Sequence, residues 1–368
     1  LKMITTINNK HKKLNVPNLR FPEFQGEWEK CKFKDVCSTS TGNKNTQDKA
    51  DDGIYPFYVR SQTVERINSW TFDGEAILTA GDGVGVGKVF HHSYGKIGVH
   101  QRVYILSDFK CDANYLFHFF SSKFYNRVKR MSAKNSVDSV RKEMITDMPL
   151  SLPCHQEQFK IGHILSLLDE RIATQNKIIE DLKKLKSAIS ENLFKDVKGD
   201  VVALSEICEI IKGKQINGEF LSERGKYYVM NGGTEPSGYY SDYNVEANTI
   251  SISEGGNSCG YVQFNTSPFW SGGHCYTIQE IADNVDNLYL YHFLKSKEDA
   301  IMKLRIGSGL PNIQKKDLAI FKIKIPTVEQ QTKISTFLSS LERKVEIEEI
   351  IQDAMQKEKQ YLLHQMFI

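Results

Sequence analysis

The sequence has few of the features that mark a disulfide-bonded, metal-binding or membrane protein. Its 368 residues include seven cysteines, which are scattered and form no Cys-x-x-Cys pair. An odd number without paired spacing argues against a disulfide framework and against a structural zinc site. No apolar run approaches the ~20 residues that span a bilayer. We therefore expect reduced thiols, a cytoplasmic location, no metal and no membrane partner.

Motifs for catalysis on nucleic acids are also missing. None of the nine prolines are adjacent, which excludes the Asp/Asn-Pro-Pro-Tyr/Phe motif of an adenine methyltransferase. No Pro-Asp dipeptide is present to begin the acidic motif of a common class of metal-dependent nucleases. The histidines form no His-Glu-x-x-His pattern. We predict no catalytic residue in this chain.

A glycine-rich stretch, Gly-Asp-Gly-Val-Gly-Val-Gly-Lys at residues 81–88, invites comparison with a phosphate-binding loop. A Walker A motif ending at Lys88 needs glycine where Asp82 stands and Ser or Thr where Val89 stands. A β-turn is the simpler interpretation, and its amides could still meet a DNA phosphate. An enzyme that binds a nucleotide at this loop stays as an alternative, which Lys88→Ala would test.

What the sequence does contain is an internal repeat, with copies at about 28–194 and 201–367. Such a repeat predicts two related structural units. The segment 98–100 also roughly matches 272–274, which pairs His100 with His274. The best-matched segments are 114–123 with 288–297, 153–161 with 326–334, and 33–37 with 204–208.

Each copy ends in apolar residues spaced alternately by four and three, which predicts a long helix with a heptad seam. Polar residues interrupt the second seam, and we expect Ile347, Ile351 and Leu363 to widen its apolar stripe. Neither helix can cover its stripe against its own small domain, so we expect the two to pair, antiparallel. The predicted seam is Ile161, Leu165, Leu168, Ile172, Ile179, Leu182, Ile189, Leu193, Ile334, Leu338, Leu341, Val345, Met355 and Leu362.

The predicted fold class is α+β, because short β-rich runs and glycine turns precede an aromatic helix in each copy. Two tandem mixed α/β domains are separated by two long helices that pair as an antiparallel coiled coil. The predicted boundaries are a polar N-terminal arm at 1–16, a first domain at 17–154, a central helix at 155–196, a second domain at 197–327 and a C-terminal helix at 328–368.

Positive charge is concentrated in the first domain. Residues 1–154 carry 23 Lys/Arg against 16 Asp/Glu, whereas residues 197–327 carry 13 against 15. Basic segments at related places before each long helix favour contacts to DNA phosphates, with a solvated helix face as the alternative. The phosphate candidates are Lys88, Lys123, Arg127, Lys129, Arg130, Lys134, Arg141, Lys142, Lys303, Arg305, Lys315 and Lys316.

Polar loop residues are the candidates for reading DNA bases, because Arg and Lys suit guanine while Asn and Gln suit adenine. These loops differ between the copies although the core pattern is shared. Two different surfaces predict recognition of two different DNA sequences. The base-reading candidates are Asn43, Lys44, Asn45, Arg60, Gln62, Arg66, Lys212, Lys214, Gln215, Asn231 and Thr234.

In this duplicated order, the chain resembles the specificity subunit of type I restriction–modification enzymes. The motifs that carry the resemblance are Val-Pro-Asn-Leu-Arg-Phe-Pro-Glu-Phe at 16–24 with Gly-Glu-Trp at 26–28, the helix starts at Pro153 and Pro326 with their Glu-Gln pairs, and the ends Leu193-Phe194 and Met366-Phe367.

The resemblance implies a non-catalytic subunit. Each recognition domain would read half of a bipartite, asymmetric site in double-stranded DNA. The helices would set the spacing of the halves and dock two methyltransferase subunits, which use S-adenosylmethionine. Motor-nuclease subunits would join the full complex, and this chain itself would bind no cofactor. A stand-alone DNA-binding regulator without catalytic partners is the alternative.

Overall fold

The computed structural model describes residues 4–5, 14–132, 139–307 and 311–368. Within these residues the chain divides into two compact units. The first unit comprises Leu1–Gln175 with Ile351–Ile368, and the second comprises Asn176–Ile350. Each unit therefore takes the start of one long helix and the end of the other.

The first unit is built from short strands followed by helices. Its helices are α1 (Phe33–Val36), α2 (Ala113–Met131), α3 (Lys142–Thr146) and the first half of α4 (His155–Asp196). Its strands are β1 (Ile4–Thr5), β2 (Leu19–Arg20), β3 (Glu29–Lys32), β4 (Ser38–Thr41), β5 (Tyr55–Tyr58), β6 (Glu65–Ile67), β7 (Phe72–Asp73), β8 (Ala76–Ala80), β9 (Phe90–Ser93), β10 (Lys96–Val99), β11 (Val103–Ser107) and β12 (Pro149–Leu152).

The second unit repeats this plan. Its helices are α5 (Leu204–Ile207), α6 (Asn287–Ser296), α7 (Glu298–Met302), α8 (Lys315–Ala319) and most of α9 (Val328–Met366). Its strands are β13 (Asp200–Ala203), β14 (Glu209–Lys212), β15 (Tyr227–Met230), β16 (Tyr239–Tyr240), β17 (Thr249–Ser253), β18 (Val262–Asn265), β19 (Trp270–Ser271), β20 (Cys275–Gln279) and β21 (Lys322–Ile325).

The two units share an antiparallel sheet of four strands and a mixed sheet, which has four strands in the first unit and three in the second among the described residues. An antiparallel sheet has the order β4-β11-β8-β9 in the first unit and β14-β20-β17-β18 in the second. A mixed sheet contains the parallel pair β5–β10 in one and β15–β19 in the other. The pairs β3–β12 and β13–β21 lead into the long helices. The predicted α+β fold with tandem related units is confirmed.

The helix that follows each antiparallel sheet is held by the same local contacts in both units. Asp112 caps α2 by accepting from the Tyr115 amide at 2.8 Å, and Asp286 caps α6 by accepting from the Tyr289 amide at 2.6 Å. A short polar side chain at this position satisfies amides that the helix leaves unpaired. Both tyrosine side chains are fully buried, as the sequence pattern predicts for core aromatics.

The predicted heptad seam of α4 and α9 faces the interior of each unit. Every one of its residues is buried or half-buried. In the second unit Lys183 contacts Glu349 and Lys186 contacts Glu342, so residue numbers rise along α4 as they fall along α9. The predicted antiparallel pairing is therefore correct.

One detail of the seam prediction is wrong. Ile347 and Ile351 do not widen the apolar stripe, since their relative exposures are 43% and 37%. The polar residues Glu348, Gln352 and Lys359 occupy the seam instead, and Leu363 is buried as expected. Two of these polar residues have charged partners. Glu348 pairs with Lys344 on the same helix, and Lys359 of α9 pairs with Asp169 of α4.

No helix among the described residues combines the length and apolar character that a membrane crossing requires.

Candidate nucleic-acid interface

Most of the predicted base-reading residues lie near the loops at one end of the strands of each antiparallel sheet. We call this end the edge of the sheet. In the first unit β4 and β8 end at this edge, and β11 begins there, because the three strands are antiparallel neighbours. The loops that follow β4 and β8 and precede β11 therefore converge. Arg60, which follows β5, joins them through its contact with Asp82.

An ion-pair cluster occupies the centre of the edge in the first unit. Arg60 donates from Nη1 to Asp82 Oδ1 at 2.8 Å, and Arg102 Nε lies 3.6 Å from Asp82 Oδ2. The side chains of Arg60 and Arg102 are 45% and 65% exposed, whereas that of Asp82 is 25% exposed. The carboxylate therefore lies below two exposed guanidinium groups.

His100 is buried beneath this cluster. Its Nδ1 accepts from the Arg102 amide at 3.0 Å, so the ring proton lies on Nε2, which donates to Thr46 Oγ1 at 3.3 Å. Burial lowers the pKa of His100, and the nearby charge of Arg60 lowers it further. The ring is thus neutral at pH 7 and adds no positive charge below the arginines.

The loop after β4 is fixed mainly through its backbone. The amides of Asn43 and Lys44 both donate to Val99 O, at 3.2 and 3.1 Å. Asn45 Oδ1 accepts from Gln101 Nε2 at 2.6 Å, which occupies one of the groups expected to read a base. The exposed Asn43 side chain and the half-buried Lys44 side chain stay candidates.

Two other candidates of the first unit have contacts that the sequence does not reveal. Arg66 Nε donates to Gly53 O at 3.0 Å and supports the turn before β5. Gln62 is exposed, with Nε2 3.5 Å from Phe90 O. Both keep polar atoms at the surface, and their role in base reading stays a prediction.

The predicted phosphate-binding residues of the first unit differ in accessibility. Arg127 Nε donates to Met144 O at 2.7 Å and so holds α3 against α2. Lys123 is half-buried, and burial lowers its pKa. Arg127 thus has a structural contact within the unit, and the role of both residues in phosphate binding stays a prediction. Lys134 lies outside the described residues. The exposed cations are Lys88, Lys129, Arg130, Arg141 and Lys142.

Part of the basic segment runs directly beside the edge. The Val140 amide donates to Gly81 O at 2.7 Å, and Ser139 forms a β-bridge with Asp82. Arg141 and Lys142 follow immediately and are exposed. This contact joins two of the phosphate candidates to the arginine cluster in one continuous surface.

The second unit has a related cluster built from different residues. Glu254 Oε1 accepts from Lys212 Nζ at 2.6 Å and from the Tyr276 hydroxyl at 3.0 Å. Glu254 Oε2 lies 3.5 Å from His274 Nδ1. The Glu254 side chain is only 9% exposed, whereas those of Lys212 and His274 are 51% and 63% exposed.

The register of these contacts corrects the sequence match between His100 and His274. Gly81 donates to Arg102 O in the first unit, and Glu254 donates to His274 O in the second. His274 is therefore the counterpart of Arg102 and not of His100. The sequence match is wrong because small insertions change the difference in residue number between equivalent positions of the two copies. A short match of glycine and histidine cannot detect such a change.

The remaining candidates of the second unit surround Glu254. Asn231 Oδ1 accepts from the His274 amide at 3.1 Å, so it supports the loop before β20. Lys214 O accepts from Trp270 Nε1 at 2.9 Å, and the Lys214 side chain is exposed. Gln215 and Thr234 are exposed.

The cations of the second unit repeat the arrangement of the first. The Ile313 amide donates to Glu254 O at 2.8 Å, just as Val140 does to Gly81 O. Lys315 and Lys316 follow in α8 and are exposed. Lys303 and Arg305 are exposed as well. Both units thus place a carboxylate cluster next to a basic segment.

The glycine-rich stretch is a turn, as its departures from a nucleotide-binding motif suggest. Gly83 and Gly87 have φ angles of +77° and +65°, which a residue with a side chain rarely adopts. Lys88 is directed over the Tyr125 ring, 5.4 Å from its centroid. The second unit has the same kind of turn, with Gly256 and Gly260 at +76° and +91°. Among the described residues, no group of three or more His, Cys, Asp or Glu is arranged to hold a metal ion.

Comparison with known families decides the identity of this duplicated fold. Residues 25–184 and residues 196–357 each match the type I restriction modification DNA specificity domain. The chain belongs to this family. The resemblance based on the duplicated motifs is confirmed, and each matched segment of the specificity-domain family contains one of the polar clusters.

Curated proteins similar to the chain include type I specificity subunits. The MjaVIII specificity subunit of Methanocaldococcus jannaschii is 25% identical over 402 residues, covering 94% of this chain and 92% of that protein. The EcoDI specificity subunit of Escherichia coli is 26% identical over 167 residues, covering 44% and 37%. S.MpnORF638P of Mycoplasma pneumoniae is 32% identical over 167 residues, covering 45% and 44%. The chain thus spans less than half the length of the last two relatives.

Solved structures share the specificity-domain fold. The S subunit of a type I restriction–modification system from Mycoplasma genitalium has a TM-score of 0.74 at 18% identity, covering 96% of this chain and 99% of that one. A chain from a type I R-M system has a TM-score of 0.55 at 15% identity, covering 91% and 96%. At these identities the likeness establishes the fold alone.

Proposed function

We propose that this chain is the specificity subunit of a type I restriction–modification complex and has no catalytic activity of its own. Each unit reads one half of a bipartite, asymmetric site in double-stranded DNA, and the long helices set the spacing between the halves. The observation that carries the proposal is the pair of polar clusters, which occupy the same edge of corresponding sheets with different side chains. Related readers with different donors suit two different half-sites.

The exposed cations beside each cluster support contact with the DNA backbone. Arg141 and Lys142 in the first unit and Lys315 and Lys316 in the second follow short segments that hydrogen-bond to the turns of the clusters. Cations next to base-reading groups fix the position of a protein on the duplex. The net charge of +7 over residues 1–154 favours a larger electrostatic contribution from the first unit.

Apolar side chains on the outer surface of the long helices support docking of partner subunits. Leu167, Ile178 and Leu185 on α4 are 44%, 40% and 53% exposed, and Phe337 and Ile350 on α9 are 46% and 63% exposed. The proposed partners are two methyltransferase subunits, which bring S-adenosylmethionine, and motor-nuclease subunits in the full complex. This surface favours the subunit over a stand-alone regulator, and a cytoplasmic complex agrees with the seven free cysteines.

The direct test is to co-express the chain with type I methyltransferase subunits and to map modified adenines across the host genome. We expect methylation at a bipartite motif with a fixed spacer, dependent on this chain. Methylation of the same sites without the chain, or a contiguous motif, would overturn the proposal. A monomeric chain that binds its site fully without partners would favour the regulator.

A further inference from the structure

In each unit a carboxylate at the start of the glycine-rich turn contacts two exposed donor side chains. We propose that Asp82 and Glu254 are positioning residues, each of which holds a pair of donors in place to read base edges in one half of the DNA site. The donors are Arg60 and Arg102 in the first unit and Lys212 and His274 in the second. This inference rests on the proposed function, because it names the side chains that read DNA.

The arrangement recurs although the side chains do not. Arg102 and His274 occupy the same register, just before β11 and β20. The carbonyl of each accepts from the amide of the residue that follows the neighbouring strand, Gly81 after β8 and Glu254 after β17. The second donor comes from a different loop in each unit, after β5 for Arg60 and at the end of β14 for Lys212. The carboxylates come from neighbouring positions of the two turns, because Gly81 is the counterpart of Glu254. Each still contacts the donor that precedes β11 or β20, which points to a shared role for the carboxylate.

The donors keep hydrogen-bonding capacity at the surface. A guanidinium carries five N–H groups, and the contact of Arg60 with Asp82 uses one of them. Arg102 faces Asp82 through Nε, on the inner side of its guanidinium, while the side chain is 65% exposed. Lys212 has three donors and gives one to Glu254.

Each carboxylate is itself supported from below. Glu254 accepts from the buried Tyr276 hydroxyl at 3.0 Å, and its backbone carbonyl accepts from Ile313 at 2.8 Å. Asp82 is held at its backbone by a β-bridge with Ser139. These contacts limit the movement of the carboxylate, and a fixed carboxylate restricts the orientations of the donors that it holds.

The carboxylates also favour base edges over phosphates as the ligands of these donors. A negative charge 2.8 Å from Arg60 repels a phosphate brought to the same guanidinium, whereas a neutral base edge meets no such repulsion. Phosphate contacts belong to Arg141 and Lys142, which lie beside the cluster and carry no such partner in the described contacts. Positioned arginines bind guanine through O6 and N7, the commonest specific contact in the major groove. We therefore expect the first unit to read a G·C pair.

The first experiment compares methylation motifs. The chain is co-expressed with methyltransferase subunits as wild type, Asp82→Asn, Arg102→Gln and Glu254→Gln, with Asp73→Asn as an exposed carboxylate control in the first unit. We expect Asp82→Asn and Arg102→Gln to reduce discrimination at the same G·C pair about tenfold or more. Glu254→Gln should relax a position in the other half only. The control should keep the wild-type motif.

The half-site that keeps its specificity shows in each case that the complex is folded and assembled. The inference is overturned if Asp82→Asn methylates the wild-type motif with undiminished discrimination, or if Arg102→Gln relaxes a different position. Loss of all methylation by Asp82→Asn together with an unchanged motif in Arg102→Gln would also overturn it. A wild-type chain that gives no bipartite motif would instead contradict the proposed function.

The second experiment uses modified DNA with the mapped site. Replacing the guanine of the G·C pair by 7-deazaguanine removes N7, whereas inosine keeps N7 and O6 and loses only the minor-groove amine. For the wild-type complex we expect 7-deazaguanine to weaken binding about tenfold and inosine to leave it nearly unchanged. The loss of binding caused by 7-deazaguanine should disappear in Arg102→Gln, whereas the control Asp73→Asn should show the same loss as the wild type. An equal effect in wild type and Arg102→Gln contradicts the assignment.

Discussion

Lys186 donates a hydrogen bond to Glu342 across the paired helices of the second unit, with 2.5 Å between Nζ and Oε1. The first unit has the corresponding pair, Lys359 with Asp169, at the equivalent heptad positions. Lys186 lies on the seam, and the Tyr291 hydroxyl donates to the same Glu342 oxygen at 3.1 Å. The polar residues that interrupt the seam thus serve as specific contacts between the helices.

We expect the Lys186–Glu342 pair to contribute measurably to stability. Its side chains are 24% and 38% exposed, so solvent screens it in part. A double-mutant cycle with Lys186→Ala and Glu342→Ala, followed by urea unfolding, should give a coupling energy of about 1 kcal/mol. The exposed pair Lys184–Glu180 on the same helix is the matched control and should give a smaller coupling energy, because solvent screens it more strongly. Equal coupling in the two cycles would contradict this expectation.

The buried pair of Arg20 and Glu157 should matter more. Arg20 donates from Nε and Nη2 to both Glu157 oxygens at 2.8 Å, and the Glu157 side chain is fully buried. Glu157→Gln removes the charge and leaves a buried guanidinium, which should lower the free energy of unfolding of the first unit by about 3 kcal/mol. In the second unit the corresponding residue is Gln330, which is exposed. Gln330→Ala should change the stability by less than about 0.5 kcal/mol, and a similar loss in both variants would refute the assignment.

Acid should destabilise the units through their buried histidines. His118 is 1% exposed and bonded to Ser166 Oγ, and burial, helped by the charge of Lys359, lowers its pKa to about 3. Burial likewise lowers the pKa of His292 to about 4. The folded protein keeps these rings neutral, so below pH 6.5 the unfolded chain binds protons first. This contribution to stability is fully present above pH 6.5. It is lost as the pH falls, by about 1.4 kcal/mol per pH unit for each histidine ring.

Urea unfolding between pH 7.5 and 5 measures this loss. His118→Gln should flatten the dependence in the first unit, because glutamine does not titrate. His163→Gln, at an exposed position of the same unit, should leave the wild-type slope unchanged. A slope that His118→Gln does not alter would show that other groups cause the acid sensitivity.

The salt dependence of DNA binding should report the phosphate contacts. Replacing both Arg141 and Lys142 by alanine removes two exposed cations beside the first cluster. The slope of log K against log salt should fall in magnitude by up to about 2, with little change in the preferred sequence. Lys110 follows β11 at the opposite edge of the sheet, and Lys110→Ala should keep the wild-type slope. A relaxed motif in the Arg141/Lys142 variant would place these residues at bases instead.

Much of the fold follows from the sequence because its strongest signals are periodic. The proline before each long helix and the four-three spacing predict helices where α4 and α9 occur, and the burial of Leu165 and Leu338 agrees with the predicted seam. The error at Ile347 and Ile351 has a physical cause. Apolar character alone favoured them, whereas the heptad register is kept by pairs that satisfy Glu348 and Lys359.

The site was less accessible to sequence reasoning. Charge and polarity identify Arg60 and Lys212, but not the carboxylates that hold them, since an acidic residue is not expected at a DNA-binding surface. Arg102 is absent from the predicted site residues, and His274 is noticed only as a match to His100, because both residues join their clusters only through strand register. A signal was present in Asp82 and Glu254, each an acidic residue at the start of a glycine-rich turn.

Phe367 packs against Tyr115 and Phe119 in the first unit, with ring centroids 5.3 and 5.5 Å apart. Phe194 does the same with Tyr289 and Phe293 in the second, at 5.6 and 5.3 Å. The aromatic core of each recognition unit is therefore completed by a residue at the C-terminal end of a long helix, α4 for the second unit and α9 for the first. In the first unit this residue is Phe367, which follows α9 directly. A deletion that removes Phe367 should therefore destabilise the first unit, although most of that unit lies near the other end of the sequence.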